Sequence, residues 1–229
     1  GGGDMDEREV REVRVAAATA AGQIAFLGRR HRSHVAEWVR HTDVAEQNRN
    51  TFPLTLVLDN LRSAHNVGSI FRSADACGVA EVITTGITPR PNGPGGRKVA
   101  SAALGADRTV RTRHFPSAAA AVRALRDEGH LRILGMETTD RSVCYSREVG
   151  EAEGTESPSF RGPLYLKEGK GTALVLGNEV TGVDTEVMDA LDGLVEVPMF
   201  GTKNSLNVAA AAPVVLYEIL RQWGVHPKS

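Results

Sequence analysis

Three stretches of the chain bring together side chains whose types and spacing suit chemistry. Asp59 to Arg72 (DNLRSAHNVGSIFR) holds N-x-G-x-x-x-R, with Asn66, Gly68 and Arg72. Leu174 to Gly182 (LVLGNEVTG) holds Gly177 and Glu179 in a G-N-E run, then a second glycine. Val197 to Val208 (VPMFGTKNSLNV) holds Gly201 and an S-L-N run of Ser205, Leu206 and Asn207. The set combines amides and hydroxyls, which orient polar groups, with one carboxylate and one guanidinium. A guanidinium stays protonated in ordinary protein sites. Arg72 is therefore suited to stabilising charge that develops on an oxygen rather than to taking a proton.

Each residue also has a plain structural reading. Arg72 can be an exposed helix arginine paired with Asp75 at i+3. Asn66 and Ser205 can be helix N-caps. Glu179 can be a surface carboxylate, and the glycines can serve turns. Other signals are discarded. Asn92 to Lys98 (NGPGGRK) lacks the spacing of a phosphate loop. No G-x-G-x-x-G follows the first strand and no G-x-S-x-G elbow exists. Cys77 and Cys144 form no CxxC, and the histidines, His65 among them, are scattered without metal-ligand spacing.

The elements that must position these residues are read from apolar patterning. Leu54–Leu58, Glu81–Gly86, Arg132–Met136, Thr172–Leu176 and Leu194–Val197 read as strands, the first a continuous apolar run typical of burial on both faces. Helices are expected over Asn66–Gly78, with Asn66 as N-cap and Gly78 as stop, over Ser117–Arg126, over Asp184–Leu191, and over Ser205–Trp223 with a kink at Pro213. Val183 and Met188 are read as a hydrophobic staple at the start of the third helix. Alternation of strand and helix predicts a parallel α/β sheet flanked by helices. Residues 1–50 read as a short helical N-terminal arm, helical over Glu7–Ala21 and Ile24–Val39, and 51–229 as the main domain. Gly1–Gly3 read as a tag remnant. Residues 140–170, acidic and rich in Gly, Ser and Pro, read as a flexible surface insertion.

Composition bounds the rest. Hydrophobic residues make up 41%, enough for a sizeable core in one domain. A net charge of -1 does not announce a nucleic-acid binder, so local runs matter more. These are Arg29, Arg30, His31 and Arg32; Arg97 and Lys98 after the glycine-rich loop; and Arg108, Arg111, Arg113 and His114. No apolar run reaches the roughly 18–20 residues of a membrane helix. Two cysteines make a disulfide framework unexpected, which suits a reducing compartment. The chain is expected to be intracellular, in the cytoplasm or an organelle, without a membrane partner.

The three motifs, in this order and each at a strand-to-helix junction, resemble the SpoU/TrmH branch of the SPOUT RNA methyltransferase superfamily over roughly residues 53–224. The resemblance implies a C-terminal deep trefoil knot, which composition does not foretell because knots are rare exceptions to chain topology. It implies a homodimer whose subunits build each RNA site together, with a heterodimer with a related subunit left open. It implies S-adenosylmethionine as cofactor, S-adenosylhomocysteine as product and no metal. The reaction implied is methyl transfer to a ribose 2'-hydroxyl of tRNA or rRNA. A catalytically silent RNA-binding or assembly subunit, or a base methyltransferase of the same superfamily, remain alternatives. By resemblance the catalytic set is Arg72, Asn66, Ser205, Asn207 and Glu179, and Glu137, Gly177, Val197, Met199 and Leu206 hold the cofactor. Arg29, Arg30, Arg32, Arg97 and Lys98 are the expected RNA contacts. One departure is visible: Ala209 stands where many relatives carry a serine.

Overall fold

The computed structural model describes residues 51–130, 132–147 and 163–225, together with 8, 10–12, 14–21 and 23–25 near the start. The chain divides into two units, Gly1–Arg49 and Asn50–Ser229. In the first unit the described residues are helical. Arg29, Arg30 and Arg32 lie outside the described residues.

The second unit is built on a seven-stranded sheet in the order β3-β2-β1-β6-β4-β7-β5, with every pairing parallel. The strands are β1 (Phe52–Asp59), β2 (Val79–Thr85), β3 (Arg111–Phe115), β4 (Arg132–Met136), β5 (Ser142–Cys144), β6 (Thr172–Leu176) and β7 (Gly193–Glu196). The helices are α1 (Ala64–Ala76), α2 (Gly96–Ala103), α3 (Ala106–Thr109), α4 (Ala118–Asp127), α5 (Thr185–Met188) and α6 (Val208–Gln222).

The apolar runs lie in the middle of the sheet because both faces there are covered. Leu54, Leu56 and Leu58 of β1 and Leu174 and Leu176 of β6 point into one core with α1 and α6. Val57, Ala173 and Val175, the alternate residues, point into a second core with α4 and α5. The period-two pleat sorts neighbours along a strand between the two layers. Cys77 is buried in the first core, and burial pushes its thiol up to about 11, so it behaves as a small apolar residue.

Several expectations shift. The cap of α1 is Ser63, whose hydroxyl accepts from Asn66 N at 3.2 Å. The helix starts earlier than expected, which leaves the Asn66 side chain free of capping. Gly78 does follow the helix end, with φ of 63°. The last helix begins at Val208, and its cap is Asn207 rather than Ser205. Pro213 lies inside it. Arg72 and Asp75 form no pair among the described residues; Asp75 accepts from the Thr109 hydroxyl at 2.6 Å. Strands β3 and β5 and helices α2 and α3 were not expected.

The region read as a loose insertion is structured at both ends. Ser142–Cys144 forms the edge strand β5, and Leu164 and Tyr165 are buried in the first core, with the Tyr165 hydroxyl donating to Tyr145 O at 2.8 Å. Residues 148–162 lie outside the described residues. No helix among the described residues is long and apolar enough to cross a membrane.

Candidate active site

The three motifs meet at the carboxyl ends of β1, β6 and β7. Central strands of a parallel sheet end side by side, so loops far apart in sequence become neighbours there. Glu179, in the loop after β6, lies across the start of α1. Its Oε2 accepts from Arg62 N at 3.0 Å, and its Oε1 accepts from Ser63 N at 3.3 Å and from Asn66 Nδ2 at 3.0 Å. Partial burial pushes the Glu179 carboxyl up, but these donors outweigh it and hold the carboxyl below the ordinary glutamate value. Asn66 Oδ1 in turn accepts from Asn207 Nδ2 at 3.3 Å, while Asn207 Oδ1 caps α6 by accepting from Ala209 N at 2.8 Å. One residue from each motif is thus joined in a single chain of hydrogen bonds.

The loop after β6 is held from below. Asn178 and Gly182 exchange two backbone hydrogen bonds of 2.9 Å, closing a tight turn. Asn178 Oδ1 accepts from Val180 N and Thr181 N inside it. Asn178 Nδ2 donates to Asn60 O at 2.6 Å. Two glycines make the turn feasible. A Cβ at Gly177 would lie 2.2 Å from the backbone of Gly182 and Val183, and one at Gly182 (φ 71°) would lie 2.0 Å from Glu137 Oε2. Gly177 is therefore required by its own loop; a close approach to a ligand is not needed to explain it. At Gly201 a Cβ would meet nothing within 4 Å.

Asn60 is a residue that sequence reasoning missed. It has a φ of 51°, a left-handed conformation that asparagine tolerates better than most residues. Its Nδ2 donates to Asp59 Oδ1 at 2.9 Å, and that carboxylate, pushed up by burial, also accepts from Thr85 Oγ1 at 2.9 Å. An asparagine just past a buried strand was the available signal. Asn178, inside G-N-E, is a second such residue, and its place beside the motif glutamate is its only signal in the sequence.

A cleft of about 600 Å³ opens between these loops. Glu137, Gly177, Glu179, Val197, Ser205, Leu206 and Asn207 line it, with Met136 and Val208 adding apolar surface. Met199 and Gly201 line an adjoining recess that shares Glu196 and Val197 with the cleft. The Glu137 carboxylate is already engaged, accepting from Val183 N at 2.9 Å and Thr138 N at 3.2 Å. Arg72 is not brought to the cleft. It is exposed on α1, with no ion-pair partner among the described residues. Arg97 and Lys98 are exposed in the first turn of α2.

The basic run at 108–114 resolves into different roles. Arg111 and Arg113 pair with Glu81, at 3.2 Å and 2.6 Å, and Arg113 also pairs with Glu128. His114 bonds Thr84 and Arg90. Arg108 alone of the run remains an exposed cation without a partner among the described residues.

A model of the SpoU rRNA Methylase family matches residues 53–217, which hold all three motifs and the whole cleft. The chain belongs to that family. Among its relatives is the 23S rRNA (guanosine-2'-O-)-methyltransferase RlmB of Vibrio cholerae, 33% identical over 171 residues, covering 74% of this chain and 60% of the relative. The tRNA (guanosine(18)-2'-O)-methyltransferase of Thermus thermophilus is 33% identical over 172 residues, covering 74% of this chain and 75% of the relative. The SpoU methyltransferase AviRb of Streptomyces viridochromogenes, solved in complex with the cofactor AdoMet, superposes with a TM-score of 0.56 at 27% identity, over 80% of this chain and 61% of that one. The SpoU family member described here spans only about 60% of the length of its RlmB relative.

Proposed function

We propose that the chain is an S-adenosylmethionine-dependent RNA 2'-O-ribose methyltransferase acting on tRNA or rRNA as a homodimer. The observation that carries this reading is the hydrogen-bonded chain Glu179–Asn66–Asn207 at the mouth of the cleft, on a chain whose relatives are named 2'-O-methyltransferases.

The cleft fits the cofactor. Its volume of about 600 Å³ lies within the range of small-molecule sites, roughly 300–1,000 Å³. Val197, Leu206 and Met136 offer apolar walls for an adenine, and the loop backbones at Gly177 and Met199 offer polar groups to read its edge. The Glu137 carboxylate braces the Gly182 turn, so its part in binding is to shape the cleft. When bound, the cofactor supplies a methyl group on a cationic sulfur, and attack by a ribose oxygen on that carbon leaves neutral products.

The protein's share is positioning and charge. Glu179, locked by three donors, fixes Asn66, and Asn66 fixes Asn207. Ser205 and Asn207 then orient the ribose at the start of α6. Holding two reactants in line lowers the barrier by removing orientational freedom before the reaction. Arg72 keeps its charge and stabilises the developing alkoxide, while the hydroxyl proton passes to a substrate phosphate that the same guanidinium orients. Because Arg72 stands on the outer face of α1, it reaches a reacting ribose from a second copy. Helix α6 packs on α1 and exposes Val214 and Tyr217, an apolar face suited to that copy. The order β1-β6-β4-β7 puts β6, late in the chain, at the centre of the sheet between β1 and β4, which suits a C-terminal knot. Residues 51–229 form the methyltransferase domain in this reading, with Arg97 and Lys98 as RNA contacts, and residues 1–50 form an arm whose Arg29, Arg30 and Arg32 are further RNA contacts.

Calorimetric titration with S-adenosylmethionine tests the cofactor site without any choice of RNA. Micromolar binding near one site per chain is expected. Labelled cofactor should then place a methyl group that makes the adjoining phosphodiester resistant to alkali. Absence of cofactor binding would remove the enzyme reading, and a labelled but alkali-sensitive product would move it to base methylation.

A further inference from the structure

The loop between β2 and α2 runs from Gly86 to Gly95 and continues into the first turn of α2. From Gly86 to Leu104 it carries Arg90, Arg97 and Lys98 and no aspartate or glutamate. We infer that Arg90 is a preset contact for an RNA phosphate, and that His114 is the residue that presets it. The inference rests on the RNA-directed function proposed above and adds a residue that the motifs do not contain.

Arg90 is unlike the other arginines near the sheet. Its Nη1 donates to His114 Nε2 at 3.0 Å. A guanidinium can only donate, so Nε2 accepts and the proton of the neutral imidazole sits on Nδ1. Nδ1 lies 3.0 Å from Thr84 Oγ1, whose hydroxyl goes on to Arg113 O at 3.4 Å. A relay rooted in β2 and β3 therefore fixes the imidazole, and the imidazole fixes the arginine. The loop grips the stem as well. Gly93 N donates to Arg90 O and Arg90 N donates to Pro94 O, both at 3.2 Å. A Cβ at Gly93 would lie 2.5 Å from Arg90 Nε and 2.8 Å from its Cγ, so a side chain there would push the arginine out of this position.

A guanidinium held this firmly usually ends in a carboxylate, as Arg113 does. Among the described residues none pairs with Arg90, and His114 is its one side-chain partner. Four of its five N–H groups are therefore unspent. The planar fork matches the oxygens of a phosphate. Arg97 and Lys98 sit where the α2 dipole is already positive and no acidic residue offsets it, which further favours an anion. The loop is also joined to the cleft. Asn60 accepts from Ile87 N at 3.2 Å with its side chain and from Asn178 Nδ2 at 2.6 Å with its carbonyl. Thr88 Oγ1 accepts from Leu61 N and donates to Leu58 O, both at 3.0 Å. A phosphate held at Arg90 thus belongs to the same strand edge as the proposed methyl-transfer site.

Phosphate contacts position RNA without reading its sequence, so unfractionated tRNA serves as the probe. Binding is measured over a salt series for the full chain, with a cofactor titration and a urea midpoint reporting that each variant is folded. Arg90→Ala should weaken RNA binding about tenfold and lower the slope of log affinity against log salt by about one. Arg90→Lys should keep the slope and recover only part of the affinity. His114→Ala should lower affinity with the slope kept, because the charge remains but is no longer aimed. His114→Gln, which keeps an acceptor, should restore most of the loss. An Arg90→Ala chain with unchanged affinity and slope would overturn the inference while leaving the methyltransferase reading intact. A wild-type chain that binds cofactor but no RNA would overturn both the inference and the RNA substrate.

Discussion

Polar clusters occupy both ends of the sheet, and they are built on opposite rules. Toward the amino ends, Arg113 is closed off by Glu81 and Glu128 and lies 5.5 Å from the Phe115 ring centroid. Hydrogen bonds to Glu128, then to Glu81, push the Arg113 guanidinium further above its ordinary value, and Glu128 is pulled down by the same contact. At the carboxyl ends, Glu179 is satisfied by amide N–H groups and no cation and Arg90 stands without a carboxylate, and Arg72, about two turns into α1, likewise has no ion-pair partner among the described residues. A cluster that serves the fold neutralises itself. A cluster that serves a substrate leaves charge unspent and fixes it by neutral groups.

The sharpest test of that contrast is Arg72→Ala. Loss of a preset charge at a developing oxyanion costs about 10²- to 10³-fold in turnover. Methyl transfer should fall by at least that factor while the cofactor affinity and the urea midpoint stay near wild type. Next comes Arg113→Ala. It leaves the Glu81 side chain, 7% exposed, without its main partner. Stability should drop by about 3 kcal/mol, read from urea unfolding, with cofactor affinity per folded molecule unchanged. Were Arg113→Ala to cost activity at constant stability, the two ends would not differ as described.

The smallest expected effect is that of Glu179→Gln. However the amide is turned, an NH₂ group meets Arg62 N or the pair Ser63 N and Asn66 Nδ2, so a donor faces a donor. Cofactor affinity should fall about tenfold, in line with the roughly 1.5–3 kcal/mol of a charged hydrogen bond. The pH dependence follows from the direction of the shift. A carboxyl held below its ordinary value keeps the network above that range and releases it only as pH falls through the lowered value. Glu179 should therefore impose no slope on cofactor affinity between about pH 6 and 8, which titrations across that interval would show.

The middle of the sheet was readable in the sequence because burial on both faces leaves a continuous apolar signature, as in Leu54–Leu58 and Thr172–Leu176. Its edges were not. Strand β3 (RTRHF) is polar at four of its five positions, and its cations look like a surface patch because Glu81 and Glu128, which neutralise them, stand 32 and 15 positions away from Arg113. Edge strand β5 is only three residues long and sits beside an acidic stretch that dominated the reading. In the site, the chemical types were legible but the local assignments slipped. Asn66 was read as a cap because helix onset is poorly marked in sequence, and Ser63 three residues earlier takes that role. Ser205 lost its capping role to Asn207 for the same reason. The linkages through Asn60 and Asn178 were invisible, since each depends on a carbonyl or amide of another loop brought close only by the strand order.

Asn60 has a consequence for the order in which ligands bind. Its side chain holds the root of the Arg90 loop and its carbonyl holds the G-N-E turn, so one residue's conformation enters the energy of both. Occupancy of either loop that shifts Asn60 changes affinity at the other, and linkage makes that factor the same in both directions. Whatever tightening cofactor confers on RNA, RNA confers on cofactor, and Asn60→Gly, which keeps the left-handed backbone and the carbonyl but removes the side-chain bond, is the substitution that would uncouple the two without emptying either.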